Sequence, residues 1–533
     1  MGMRLDEEFG ADRVLQIETD DEENEADDYK IEEDDDDSGS DFTLHSPVHE
    51  PSHSQIGPHD SPTWPQSYRQ SMDMFTGVTP PSLSFLRGSS FLRSQTTPTP
   101  QPSICKPLIS SLRSDKEEVP TLTHPTRLSV VSSARYSALE LPPSQQCSYT
   151  QSVLNAINAL CGIGILSTPY ALKEGGWCSL FLLLLFGIIT FYTGILLKKC
   201  LDSSPGIETY PDIGQAAFGM LGRIFIAVAL YAELYSSCIE YLIMMSDNLG
   251  AIFPSARMVF AGIHLDSYQM CAIISTLVIL PTVWLRNLSL LSYISAGGVI
   301  ALIVVVLCLL WVGAINEVGF HSGGTALNIA KLPVTIGLYS FCYGSHSVFP
   351  NIYSSMKEPS RFPSVLLISF SIAFFSYLGV AVCGFLMFGE NTSPQFTLNL
   401  PAKLITSKVA AWTVVLTPVT KYAITITPVA FGIEEFLPSR QLRTYGVSIL
   451  IRTILVFSTL VISLTVPYFG SVMSLIGSSL VMLVSLILPC ACYIKLSKDR
   501  ITRFQLAACT SIIVVGVVSA VIGTYSAVTS MAN

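Results

Sequence analysis

Charge is scarce in this sequence. Only 13% of its 533 residues are Asp, Glu, Lys or Arg, about half of the ~25% that an ordinary soluble protein carries. Half of the residues are hydrophobic, and the mean hydropathy is +0.49. A soluble multidomain enzyme is thereby excluded in favour of a polytopic membrane protein. Paired metal-binding cysteines are also lacking. Most of the 13 Cys sit inside apolar runs, such as Cys308, Cys383 and Cys509, where they act as small hydrophobes. Cys490 and Cys492 are too close for the usual zinc spacing, and no His cluster accompanies them, so no metal is expected. No early apolar run marks a cleavable signal peptide. No Ser-His-Asp, Cys-His or Gly-rich phosphate constellation points to an enzyme, to a bound cofactor or to nucleic acid.

What charge there is lies unevenly. Residues 1–150 hold 26 Asp and Glu against 11 Lys and Arg, whereas residues 151–533 hold 14 against 19. Residues 1–42 are strongly acidic, and 43–135 are rich in Ser, Pro, Thr and Gln. Such a composition buries too little apolar surface to offset chain entropy. Residues 1–150 are therefore expected to form a disordered cytosolic arm, open to kinases or regulatory proteins. Residues 151–533 are expected to form one membrane domain, with lipid as its solvent.

From residue 152 the apolar runs are long enough to cross a bilayer, which takes about 20 residues. The expected spans are 152–172, 177–200, 222–250, 268–285, 289–315, 332–354, 363–388, 408–437, 445–466, 469–493 and 504–527, which makes an all-α protein of eleven helices. Loop Lys and Arg fix the orientation. With a cytosolic N-terminus, twelve of them, including Lys198, Arg223, Arg361 and Lys498, fall inside, against five outside. The C-terminus is then luminal or extracellular.

The spans repeat. Starts of spans 1–5 and 6–10 differ by 180, 186, 186, 177 and 180 residues. Five is odd, so the second unit enters from the opposite face. A 5+5 inverted repeat with one extra helix follows, as in one large class of secondary transporters. The first span of each unit carries helix breakers near mid-membrane: Gly162 and Gly164 before Pro169, and Gly344 before Pro350. Packing through small residues is the ordinary reading of such glycines. Their matched positions in the two halves favour broken helices that line a site. A second half-helix beginning near Gly164 offers unpaired N–H groups and a positive dipole end to an anion. Carbonyls around Asn158 to Leu160 suit an ammonium. Together these ends describe an α-amino acid, and they must face a cavity rather than lipid.

The run Ser152-Val153-Leu154-Asn155-Ala156-Ile157-Asn158-Ala159-Leu160-Cys161-Gly162-Ile163-Gly164-Ile165-Leu166-Ser167-Thr168-Pro169-Tyr170-Ala171, continued by Glu174-Gly175-Gly176-Trp177, resembles the first helix of the amino acid/auxin permease family. It is most similar to the vacuolar amino acid transporter subgroup, in which a long acidic, Ser-rich arm also occurs. The resemblance covers about residues 150–527. It implies a LeuT-like core and a secondary active transporter of amino acids, coupled to a cation that is usually H⁺, by symport or antiport. It implies the vacuolar membrane, with the plasma membrane as the alternative. By position it implies a substrate site at Asn158, Gly162, Gly164 and Ile165 on span 1, and at Tyr343, Gly344 and Ser345 on span 6.

Ionisable groups inside a span are costly and mark function by default. Span 3 carries Glu233, Glu240 and Asp247 at a seven-residue spacing, hence on one face. Lys421 on span 8 is the one cation deep in a span, since Arg452 on span 9 is placed to snorkel. At 1.5 Å per residue, Glu233, Lys421 and Glu240 lie about 15, 20 and 26 Å from the cytosolic end. Lys421 thus either pairs with Glu233 or Glu240 or takes the place of a bound cation. Buried lysines can exchange their proton near neutral pH, so coupling to H⁺ through Lys421 is expected. A Na⁺ bound by span 1 carbonyls and the Thr420 hydroxyl is the alternative. His346, beside the span 6 break, is a further candidate proton carrier, though a lone His in a span is more often a hydrogen-bonded packing residue.

Two other functions fit the same sequence. One is an amino acid sensor that signals through the arm, distinguished by binding without flux. The other is a transporter of auxin or another small carboxylate.

Overall fold

The first span begins where the sequence supplies a capping box. The Ser148 side chain accepts from the Gln151 N–H, and the Gln151 side chain accepts from the Ser148 N–H. In the computed structural model, residues 64–65, 68–69, 71–72, 147–260, 263–285, 297–315, 318–321, 323–437 and 445–532 are described. The chain divides into two units, Met1–His59 and Asp60–Asn533. The first unit lies outside the described residues, as does most of the arm expected to be disordered.

The second unit is a helical bundle. Its elements are α1 (Tyr149–Leu160), α2 (Thr168–Gly175), α3 (Leu180–Leu201), α4 (Tyr210–Ile252), α5 (Ser267–Trp284), α6 (Gly298–Ile315), α7 (Leu332–Cys342), α8 (Phe349–Ser355), α9 (Phe362–Phe388), α10 (Ile405–Glu434), α11 (Tyr445–Thr465), α12 (Phe469–Ile476), α13 (Leu488–Leu496) and α14 (Arg503–Ala532). A short hairpin, β1 (Met258–Phe260) with β2 (Ile263–Leu265), joins α4 to α5, with Met258 opposite Leu265. This hairpin is a departure from the all-α expectation. Arg257 and Asp266, at its two ends, are polar breaks between the apolar runs.

Among the described residues, nine helices are long and apolar enough to cross a membrane. A tenth passes as a bent pair, α1 and the run 163–175, with 43° between them. The expected sixth span does not pass this test because it is divided into α7, of 11 residues, and α8, of 7. Residues 289–296 of the expected fifth span lie outside the described residues. The outward faces are apolar, with Phe181, Ile188, Phe375, Phe504, Val521 and Tyr525 all exposed, as a hydrocarbon solvent requires. Of the apolar window in α10, 72% is buried, against 17% in α14. α10 is therefore central and carries Lys421 into the middle of the bundle, while α14 lies at the periphery.

Two local features shape the spans. Gly219 takes φ +71° inside α4, a conformation that favours glycine. It folds Tyr210–Phe218 back, so that Gly214 and Gly222 meet backbone to backbone. Arg223 Nη1 reaches Asp212 Oδ1 at 2.6 Å across this bend, and the membrane run starts close to the expected residue 222. Between α12 and α13, Gly477–Ile487 is π-helical, a form concentrated at functional sites. Its Val481 packs on Gly344 of the interrupted sixth span.

The loop charges sort by contact. Lys198 pairs with Asp202, which accepts from Tyr353 Oη, and Arg361 stacks on Tyr149. Elsewhere Lys173 and Lys331 share Glu174. Arg452 does not snorkel. It is buried, with Nε 3.8 Å from Glu434 Oε1, and Nη1 donates to Val283 O at 3.0 Å. Its guanidinium has backbone and carboxylate partners within the bundle, so it has no need to reach water. The described cysteines form no disulfide.

Candidate functional site

Both interruptions open onto one cavity. α1 ends at Leu160, where Cys161 turns out of the helix at ψ 61° and Gly162 extends the chain at ψ −148°. A tight 3₁₀ turn over Ile163–Ser167 then leads into α2, with Pro169 in its first turn. Proline is tolerated there because it lacks only an N–H that would be unpaired anyway. The sixth span repeats the device. α7 stops at Cys342, the chain turns through Tyr343 to Val348, and α8 restarts with Pro350 in its first turn. The gap is about 760 Å³ including its mouth. Asn158, Gly162, Gly164, Gly344 and Ser345 line it, together with Glu233, Ser237 and Tyr241 of α4 and Lys421 and Thr425 of α10.

The cavity does not gather all of the expected site residues. Ile165 is buried beside it and lines a neighbouring void with Cys161 and Gly298. Tyr343 turns away, stacks on Phe370, meets Tyr377 edge to face and is fully buried. Thr420 donates to Thr417 O at 3.0 Å and is not among the lining residues. The α10 hydroxyl that reaches the cavity is Thr425, one turn beyond Lys421. His346 is buried against α3, with Nε2 3.0 Å from Thr193 Oγ1 and 3.2 Å from Thr190 O. Its Nε2 is thus held by α3, while its Nδ1 is buried without a hydrogen-bond partner among the described residues.

The three acidic residues of α4 separate. Glu233 lines the cavity, and its Oε2 has no hydrogen-bond partner among the described residues. Glu240 is fully buried outside the lining, with both carboxyl oxygens unpartnered among the described residues. Asp247 accepts from Gln395 Nε2 at 2.7 Å, and Gln395 also bonds Asn248. Lys421 has no carboxylate within ion-pair distance among the described residues. A Cβ added at Gly298 would lie 3.5 Å from the Lys421 Nζ and 2.7 Å from Asn158 Oδ1, so the amine sits near Asn158 at the rim shared with the neighbouring void. The expected Lys421 pair with Glu233 or Glu240 is therefore not formed. α4 and α10 present the two charges to a shared space rather than to one another.

Tyr377 of α9 is a residue the sequence reading did not single out. Its hydroxyl lies 2.5 Å from Leu160 O and 2.7 Å from Cys342 O. These are the last carbonyls of the first halves of both interrupted spans, which a helix leaves without an internal partner. One hydroxyl thus ties the two breaks together from the side. Tyr377→Phe retains the ring contact with Tyr343 and removes only that link. Leu160 O keeps the Gly162 N–H at 2.8 Å, so the acceptor stranded is Cys342 O, at a cost of about 1–3 kcal/mol. A lower melting temperature in detergent and weaker amino acid binding are both expected, with Tyr377→Leu worse in each.

A family model described as transmembrane amino acid transporter protein matches residues 145–529. Amino acid transporter AVT1E of Arabidopsis thaliana is 55% identical over 87% of this chain and 90% of its own length. Amino acid transporter AVT1C of the same plant is 50% identical over 98% of each. The vesicular GABA transporter of Caenorhabditis elegans is 29% identical over 72% of this chain and 79% of its own. Among solved structures, MhsT in complex with L-phenylalanine covers 70% of this chain and 98% of its own, with 12% identity and a TM-score of 0.46. The match of the family model over most of the chain, together with relatives at half identity along its length, shows that this protein belongs to the transmembrane amino acid transporter family.

Proposed function

We propose that this protein is a secondary active transporter that moves amino acids across the vacuolar membrane by alternating access, coupled to H⁺. The observation that carries the reading is the meeting of two interrupted spans around a cavity that also holds one carboxyl, Glu233, and one amine, Lys421. The start of the 163–175 run directs N–H groups at a substrate carboxylate. The Glu233 carboxyl and the α1 carbonyls suit its ammonium. Eleven spans built as a LeuT-like 5+5 inverted repeat make α1–α2 and α7–α8 equivalent halves, which rock about this site. The end bearing Lys198, Arg223 and Arg361 faces the cytosol under the positive-inside rule.

Proton coupling is favoured over sodium because Lys421 of α10 brings an amine into the cavity. The hydroxyl expected to bind Na⁺, Thr420, bonds its own helix instead. The names of the relatives support amino acids over auxin or another carboxylate.

Uptake of labelled amino acids into liposomes containing the purified chain tests this. Accumulation driven by an imposed pH gradient, and collapsed by a protonophore, is expected. Accumulation driven by Na⁺ alone would overturn the coupling ion, and binding without flux would favour a sensor.

A further inference from the structure

The arm has an apolar stripe in an otherwise polar stretch. Trp64, Tyr68 and Met72 recur every fourth residue, the spacing of one helix face. All three are in contact with the bundle rather than solvated. The Trp64 indole donates to Gly432 O at 2.9 Å, and its ring packs on Tyr231 and Phe436 at 5.6 and 4.9 Å. Arg223 holds the segment by its backbone, donating to Trp64 O and Pro65 O at 3.1 Å each. Arg69 pairs with Glu208. Tyr68 is 1% exposed and Met72 is fully buried.

Tyr68 carries the argument furthest. Its hydroxyl donates to Ser347 O at 3.2 Å, and its ring lies 5.9 Å from Tyr231. Ser347 lines the cavity. The segment thus bridges the interrupted sixth span on one side to α4 and α10 on the other, against Ser347 of the cavity wall, at the end of the bundle that carries Arg223.

We propose that this end of the bundle is a docking surface for the chain's own segment around Trp64 and Tyr68, and that the docked segment plugs the cavity and restrains transport. The restraint rests on the proposed function in one respect, that the cavity is the transport path. The occlusion itself does not. A bundle plugged nine-tenths of the time works at about one tenth of its free rate.

The full chain with Trp64→Ala and Tyr68→Ala tests this beside the unaltered chain, both carrying Ser237→Cys as a reporter in the cavity. Labelling of that cysteine by a bulky polar maleimide applied from the Arg223 side is expected to quicken in the double variant. Initial amino acid flux is expected to rise about tenfold. A synthetic peptide of residues 60–76, added from the same side, is expected to reverse both changes, whereas the peptide lacking both aromatic rings is not. Unchanged labelling overturns the plug. Faster labelling with flux unchanged from an active parent overturns the restraint. Faster labelling with no flux from any chain overturns the transport reading and leaves the occlusion standing. A retained cooperative melting transition separates release of the segment from misfolding of the bundle.

Discussion

Lys421→Ala is expected to abolish accumulation of amino acid against a gradient while exchange across the membrane continues. The reason is the company Lys421 keeps. No carboxylate lies within ion-pair distance of it among the described residues, and its Nζ lies beside Gly298 at the edge of the cavity. A lysine tied into a buried salt bridge leaves its partner stranded when removed, at a cost of about 3–5 kcal/mol. Lys421 has no such tie, so its removal is expected to leave the bundle folded. What the variant loses is a mobile charge in the cavity. On the proposed reading, the protonated ammonium stands in the place of a bound cation, and deprotonation removes that charge. Alanine does neither, so the substrate site on the interrupted spans can fill and empty without a proton. The checks are pH-gradient-driven uptake, counterflow exchange and the melting temperature, measured on one preparation. Full accumulation by a stable variant would remove Lys421 from coupling and turn attention to Glu233. A collapse in stability, rescued by Glu233→Gln or Glu240→Gln, would restore the ion pair.

Much of this arrangement is legible in the sequence, because a bilayer leaves few options. Apolar length marks spans, and breakers at matched positions mark the interruptions at Gly162 and Gly344. Depth arithmetic placed Glu233 and Lys421 at neighbouring levels, and both line the cavity. Direction is harder to read than level. Glu240 is seven residues from Glu233, yet only Glu233 is in the lining. Seven residues fall about 20° short of two turns, so periodicity puts both on nearly one face, and it is the neighbouring helices that close over one turn and not the other. The i+4 and i+8 positions from Glu233, Ser237 and Tyr241, carry the cavity face instead, as Thr425 does from Lys421. Tyr343 and His346 illustrate the same limit, since side chains in a non-helical turn obey no periodicity. Composition also hid a local signal. The polar average of residues 43–135 masked the Trp64, Tyr68 and Met72 stripe, which packs on the bundle.

Gly164→Val is expected to eliminate both substrate binding and a large part of the stability, and Gly162→Val to eliminate binding alone. The two glycines are two residues apart on the same break, and their surroundings differ. A Cβ at Gly164 would lie 3.1 Å from both Cα and Sγ of Cys342. The backbone of one interrupted span there meets the end of the other, and Cys342 Sγ already lies 3.5 Å from Gly164 O. Backbone cannot rotate away as a flexible side chain can. Valine adds two further methyl groups and must drive the breaks apart, and overpacking of this kind costs about 1–3 kcal/mol. The displacement also breaks the shared hold of Tyr377 on Leu160 O and Cys342 O, which fixes the geometry the substrate reads. At Gly162, by contrast, nothing lies within 4 Å of the added Cβ. A side chain there points into open space lined by Asn158, Glu233 and Ser345, so it removes room for the ligand and leaves the packing intact. Thermal unfolding of the two variants, with and without saturating amino acid, separates them. Gly162→Val is expected to melt near the parent temperature but without a ligand-induced rise. Gly164→Val is expected to melt lower under both conditions, with Gly164→Ala between it and the parent. Equal melting temperatures for the two valine variants would remove the contact between the breaks as the reason glycine is needed at position 164.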